Sequence, residues 1–188
     1  MTKRSLGAKT VLCPLPVLVI GSYDGEGRAN IMTVSWGGIC CSDPPSVAVS
    51  VRRGRYSYEG IAEHEAFTVN VPSASQVRDA DYAGIYSGRD EDKLKALGLR
   101  AVKSELVNAP YIEEFPLVLE CALRQTIKLG VHTQFIGEIM DVKIDEEAVD
   151  EQGRPDVSKI QPFIFAPGDG SYYRVGERMA QSYSVGKK

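Results

Sequence analysis

A mainly β, antiparallel barrel with a few short helices is the fold predicted by this 188-residue sequence, and three observations carry the prediction. Six to eight short segments are rich in β-branched residues or alternate apolar with polar residues, as strands do. Clusters of Gly, Pro, Asn, Asp and Ser interrupt them at close intervals, which is the chemistry of turns. Helical periodicity is confined to short stretches. Closing such a sheet on itself removes its exposed edges.

Each element has a local reason. The apolar run Val11 to Ile20 predicts the first strand, with Pro14 and Pro16 near a sheet edge or bulge. Tyr23-Asp-Gly-Glu-Gly27 supplies glycines for a tight reversal into the next strand. Residues 28 to 58 read as two strands joined by a turn, with Gly37-Gly38 and Asp43-Pro44-Pro45 as breakers. Tyr56 to Glu65 spaces Tyr58, Ile61 and Ala62 as a short helix does, with Ser57 as its N-cap. Ala66 to Val71 alternates as a half-buried strand, and Pro72 with Ser73 ends it and caps a second helix over about 74 to 86. A third short helix is expected from Glu91 to Leu97, with Asp90 at its N-cap and Gly98 closing it. The link from Leu99 to Pro116 reads as irregular. Leu117 to Ile127 and Gln134 to Ile144 are expected to be the longest strands, with His132 between them or opening the second. The acidic run Asp145 to Glu151 reads as a solvated loop. Gln161 to Ala166 and Tyr172 to Val175 are short strands around the turn Pro167 to Gly170.

Length and composition fit one domain over residues 1–188: 43% hydrophobic and 25% charged residues leave no room for a disordered or fibrous class. A net charge of -3 argues against nucleic acid as a partner. The cysteines at 13, 40, 41 and 121 show no C-x-x-C spacing and predict a reducing, cytoplasmic setting. Cys40 and Cys41, adjacent on a strand, are expected to face opposite sides as buried structural residues. No metal site is expected, because His64 and His132 have no second ligand at metal spacing; His64 is placed on a helix surface. Lys3, Arg4 and Lys9 before the apolar run mimic a signal peptide, but the prolines break that run and ten apolar residues cannot span a bilayer, so no membrane partner is expected.

The polar residues of segment 28–58 stand where a core would exclude them. Asn30, Thr33, Ser35 and Ser50 interrupt apolar strands, Arg52, Arg53 and Arg55 follow at a strand end, and Ser57 opens a helix. Hydroxyls, backbone N–H groups and a guanidinium near a helix N-terminus suit a phosphate dianion. Trp36, the only tryptophan, could offer a face to a flat ring. No Ser-His-Asp order, zinc motif, P-loop or G-x-G-x-x-G sequence is present.

Ala29-Asn-Ile-Met-Thr-Val-Ser-Trp36, Ser50-Val-Arg-Arg-Gly-Arg-Tyr-Ser-Tyr58, Phe67-Thr-Val-Asn-Val-Pro72 and Ser87-Gly-Arg-Asp-Glu-Asp-Lys93 stand in this order, and the chain from about residue 10 to about 175 resembles the flavin reductase-like FMN-binding split barrels. Within that family it is similar to the flavoredoxins. The resemblance implies a Greek-key, antiparallel split barrel, a homodimer and bound FMN. It implies phosphate contacts from Ser50 or the backbone beside it at Val51, from Arg55, and from Ser57 and Lys93, with Arg52 also among the cofactor-binding residues. It places the ring and ribityl chain along Asn30, Met32, Thr33, Val34, Ser35 and Trp36, with His132 and Phe165 approaching the ring from later strands and His132 as the catalytic candidate. Each residue has a plainer reading: an unpartnered loop for the arginines, a solvated lysine, Ser57 as a cap only, Trp36 and Phe165 in the core, and a structural His132. The activity the resemblance implies is NAD(P)H-dependent reduction of a small-molecule flavin or a redox-protein acceptor. The alternatives are a flavoredoxin-type electron carrier that keeps its FMN without NAD(P)H oxidase activity, and a split barrel for another ligand such as haem or a deazaflavin.

Overall fold

The computed structural model describes residues 1–187. In chain order the strands and helices are β1 Leu15–Pro16, β2 Leu18–Tyr23, β3 Ala29–Val34, β4 Gly37–Ser42, β5 Pro45–Arg52, α1 Ser57–His64, β6 Ala66–Val71, α2 Val77–Ile85, α3 Lys93–Leu97, β7 Ala101–Lys103, β8 Pro110–Ile112, β9 Leu117–Leu129, β10 His132–Ile144, α4 Val157–Ile160, β11 Phe163–Ala166 and β12 Ser171–Arg174. The strands form a seven-stranded antiparallel sheet in the order β3-β2-β6-β9-β10-β5-β4, a three-stranded sheet β1-β11-β12, and the hairpin β7-β8. The long strands β9 and β10 pair along their whole length, and β10 carries β5 on its other side.

The period-two alternation of strand side chains sorts the apolar residues into two cores. Leu18, Ile20, Met32, Val34, Val47, Val49, Val51, Phe67, Val69 and Phe135 point inward, and Tyr58 and Ile61 of α1 close one end of the barrel they fill. Val19 of β2 and Ile31 of β3 face outward, with Val17 just before β2, where Ala80 and Ala83 of α2, Leu94 of α3 and Phe163 of β11 cover them. The β4-β5 ladder extends back to Trp36, whose carbonyl accepts from the Ser50 N–H at 2.8 Å, and the sheet curls until β3 lies beside β5. No ladder joins these two strands among the described residues, so the barrel is split along this seam.

The mainly β architecture, the Tyr23–Gly27 reversal, the long β9-β10 pair and the β11-β12 turn agree with the sequence expectations. Several local readings are corrected. Segment 28–58 holds three strands, not two: Gly37 and Gly38 lie inside β4. Gly37 serves close approach, since a Cβ there would lie 2.9 Å from the Ala48 carbonyl oxygen. The first strand is shorter than Val11 to Ile20, because pairing begins only at Leu15 and breaks at Val17. Leu99 to Pro116 is not wholly irregular; it contains β7-β8, whose strand β8 lies over Thr68 and Asn70 of β6. Asp92, not Asp90, caps α3, accepting from the Lys95 N–H at 3.1 Å. A 3-10 turn, Glu146–Ala148, forms inside the acidic run, and α4 follows it. His64 is not a free surface residue: its Nε2 meets the Asp24 carbonyl at 2.9 Å and its Nδ1 meets Asn108 at 3.0 Å. Cys40 and Cys41 are both exposed rather than buried, because a register shift between Ile39 and Cys41 interrupts the alternation of an edge strand.

Candidate functional site

The split seam carries a two-part groove. One part, a cavity of about 360 Å³, lies between β3 and the ends of β5 and β10, under α2 and β11. The other, about 220 Å³, lies between α1, the end of α2 and the loop leading to α3. Met32, Thr33, Arg55 and Gly84 line both, so the two parts are continuous. Both lie within or just below the ~300–1,000 Å³ span of small-molecule sites, and their joined length suits an elongated ligand.

The smaller end is cationic. Ser57 is the first residue of α1, and its buried hydroxyl accepts from Asn30 Nδ2 at 2.7 Å. Its backbone position, not a side-chain cap, starts the helix, which corrects the N-cap assignment. Asn30 therefore stands behind Ser57 and orients it, outside the lining of either cavity part. Arg55, Ser87, Arg89 and Lys93 complete the wall, and Arg89 Nη1 donates to the Gly54 carbonyl at 3.0 Å. Gly88 permits this close packing: a Cβ there would come 2.3 Å from Asn30 Oδ1 and 2.4 Å from the Tyr56 ring.

Lys93 is the decisive side chain. It is 3% exposed, so it is not the solvated lysine of the plainer reading, and its Nζ donates to the carbonyls of Ala83 and Tyr86, each at 3.2 Å, at the end of α2. Burial, and then the nearby Arg55 charge, pulls its ammonium down to about 8. None of Arg52, Arg55, Arg89 or Lys93 forms an ion pair with a carboxylate among the described residues. A buried cation without a counter-charge, beside a hydroxyl and a helix N-terminus, fits a phosphate monoester.

The larger end is flatter and mixed. Trp36, 38% exposed, stands at the turn from β3 to β4 rather than in the core. Phe165 of β11 lies across from it, and Tyr172, whose phenol is pushed up to about 12 by burial and by donating to Asp81 at 2.9 Å, borders the same space. Ser50 and Arg52 point out of the barrel because Val49 and Val51 point in; antiparallel pairing sets Gln134 opposite Ser50 and His132 opposite Arg52. Met32, Val34 and Ser35 line the floor, and Thr33 also does so while its hydroxyl donates to the Ala80 carbonyl of α2.

Of the residues proposed from sequence, the structure brings Met32, Thr33, Val34, Ser35, Trp36, Ser50, Arg52, Arg55, Ser57, Lys93, His132 and Phe165 to the groove. Asn30 is one layer behind. Val51 is 1% exposed inside the barrel, so its side chain is not in the groove, and only its backbone could approach a ligand. Arg53 turns away and lies 5.9 Å from the Tyr58 ring centre. Sequence reasoning missed Asp81, Gly84, Ile85 and Tyr172, which reach the site only through α2 and β12. It also missed Ser87 and Arg89, although the Ser87–Lys93 motif that contains them was visible.

A split antiparallel barrel with a groove on its seam, cationic at the enclosed end and aromatic at the other, defines a flavin-binding protein. The chain matches the flavin reductase like domain family over residues 10–171 and belongs to it. It is 53% identical to flavoredoxin of Desulfovibrio vulgaris (Miyazaki F), with a TM-score of 0.95 and 99% of this chain and 100% of that one covered. A flavoredoxin from Methanosarcina acetivorans is 32% identical, with a TM-score of 0.90 and coverages of 99% and 98%. Among curated relatives, the high molecular weight rubredoxin of Moorella thermoacetica is 32% identical over 105 residues, 55% of this chain and 44% of that one. No helix among the described residues is long and apolar enough to cross a membrane.

Proposed function

We propose that the seam groove holds FMN non-covalently and that the protein is an NAD(P)H-dependent flavoprotein oxidoreductase, working as a homodimer and passing reducing equivalents to a flavin or a redox protein. The observation that carries this reading is Lys93: a buried ammonium with no carboxylate partner at the enclosed end of a groove whose other end is aromatic. Bound FMN supplies a ring that takes up and releases electrons singly or in pairs.

The chain's own residues bind and orient. Lys93, Arg55 and Arg89 supply charge, and the Ser57 and Ser87 hydroxyls supply hydrogen bonds, to the phosphate. Trp36 and Phe165 bound the ring, and Met32 and Val34 exclude water from its inner face. His132 and Arg52, cross-strand neighbours, stand at the open side where a nicotinamide or another acceptor approaches. Exposed Leu129 and Val131 at the β9-β10 turn, with Met140 and Val142 on β10, support the homodimer.

A second reading, an electron carrier without its own pyridine-nucleotide oxidase activity, is favoured by the 53% identity to a flavoredoxin. Anaerobic mixing separates the two. Prompt bleaching of the flavin band by NADH or NADPH supports the reductase; bleaching only after a reduced partner protein is added supports the carrier. A preparation that neither carries nor takes up FMN refutes both.

A further inference from the structure

A second groove, about 490 Å³, opens beside the aromatic end of the first and shares Ser35, Trp36 and Ser50 with it. β4, the end of the N-terminal segment and Gln134 of β10 form its other walls. None of its lining residues carries a charge. Leu12, Leu15 and Ile39 give it apolar sides, Trp36 a flat wall, and Ser50 and Gln134 neutral hydrogen-bond donors that face one another across the β5-β10 register.

We propose that this groove binds an uncharged, planar electron acceptor of the para-quinone class, an inference that rests on the flavin reading of the seam. Charge decides the class. A nucleotide pyrophosphate placed here would lose its hydration without any cation to replace it, whereas a quinone carbonyl needs one neutral donor. Position decides the role, because the wall at Trp36 and Ser50 is common to this groove and to the ring-sized cavity. The quinone takes up two electrons and two protons and leaves as the hydroquinone. Both electrons and one proton come from the reduced flavin, which returns to its oxidised form, and the other proton comes from water.

Cys40 on the groove wall provides a readout independent of turnover. In a Cys13→Ser, Cys41→Ser protein the only other thiol is the buried Cys121, so iodoacetamide reports Cys40 by mass. Duroquinone, whose four methyl groups block thiol addition, is the probe, with NADH as the charged control. The expected result is alkylation slowed at least fivefold by duroquinone and unaffected by NADH. Gly38→Leu, at a strand position where an added Cβ meets nothing within 4 Å, fills the groove and should abolish the duroquinone effect while the protein still takes up FMN. Alkylation indifferent to duroquinone overturns the proposal. So does a dimer in which Cys40 is shielded without any quinone and which Gly38→Leu dissociates, since a second copy then fills the groove. FMN uptake is measured separately by absorbance, so failure of the flavin reading is distinguishable from failure of this one.

Discussion

Replacing Lys93 by Met keeps most of the buried stem and removes the charge from the enclosed end of the groove. A charge-assisted hydrogen bond contributes about 1.5–3 kcal/mol net, which corresponds to roughly 10- to 150-fold in Kd. The wild-type protein should also show a pH signature. With its ammonium held down near 8, Lys93 of the ligand-free protein is neutral above that pH and must take up a proton to pair with phosphate. FMN affinity should therefore be flat from about pH 7 to 8 and weaken above it by up to about tenfold per pH unit. Below about pH 6 the phosphate itself gains a proton, and affinity falls again. Stability of the ligand-free protein follows the opposite sign. The unfolded chain holds a proton on Lys93 up to the usual lysine range near 10.5 while the folded chain does not, so this residue makes stability rise with pH between about 8 and 10.5. Fluorescence titration of FMN between pH 5.5 and 9.5 measures the affinities, and urea unfolding of the ligand-free protein measures the stability. A Lys93→Met variant within threefold of wild type, or a wild-type Kd that stays flat from pH 8 to 9.5, would refute the reasoning.

Ser57→Ala should weaken FMN binding about tenfold or more, and Asn30→Ala less, because Asn30 acts through the Ser57 hydroxyl; equal losses in isothermal titration would contradict that order. Gly88→Ala forces a Cβ into Asn30 and the Tyr56 ring and should lower stability by about 1–3 kcal/mol together with FMN affinity, as thermal unfolding with and without FMN can establish. Glu120→Ala removes a fully buried carboxylate that pairs with Lys143 at 3.3 Å and accepts from the Leu106 N–H at 3.3 Å; a loss of about 3 kcal/mol in urea unfolding is expected, without a change in FMN affinity per folded molecule.

Strand periods were legible because they depend on side-chain alternation within a few residues, as in β6, whose bounds Ala66–Val71 match the expectation, although the strand is buried on both faces rather than half-buried because β8 covers Thr68 and Asn70. Gly37 and Gly38 misled for the same local reason: glycines that punctuate most sequences here lie inside β4, where Gly37 lets the strand press against β5. The donors of the groove were visible as residue types out of place in apolar strands. Their grouping was not, since Asn30 meets Ser57 across 27 positions and Tyr172 meets Asp81 across 91. Whether Lys93 is solvated or buried is decided by α2, whose terminal carbonyls receive it, and no property of its own helix contains that information.

Chemistry carried by type and order, a mainly β chain with hydroxyls, arginines and one tryptophan gathered near a turn, was therefore already present in the linear chain. The curl that brings β3 beside β5 without pairing them, the α2 cover over the outer face of β3, and the burial of a lone ammonium emerged only on folding. The reason is that a period of two assigns residues to two faces, while long-range pairing and curvature choose which face meets a partner and which is left open to a ligand.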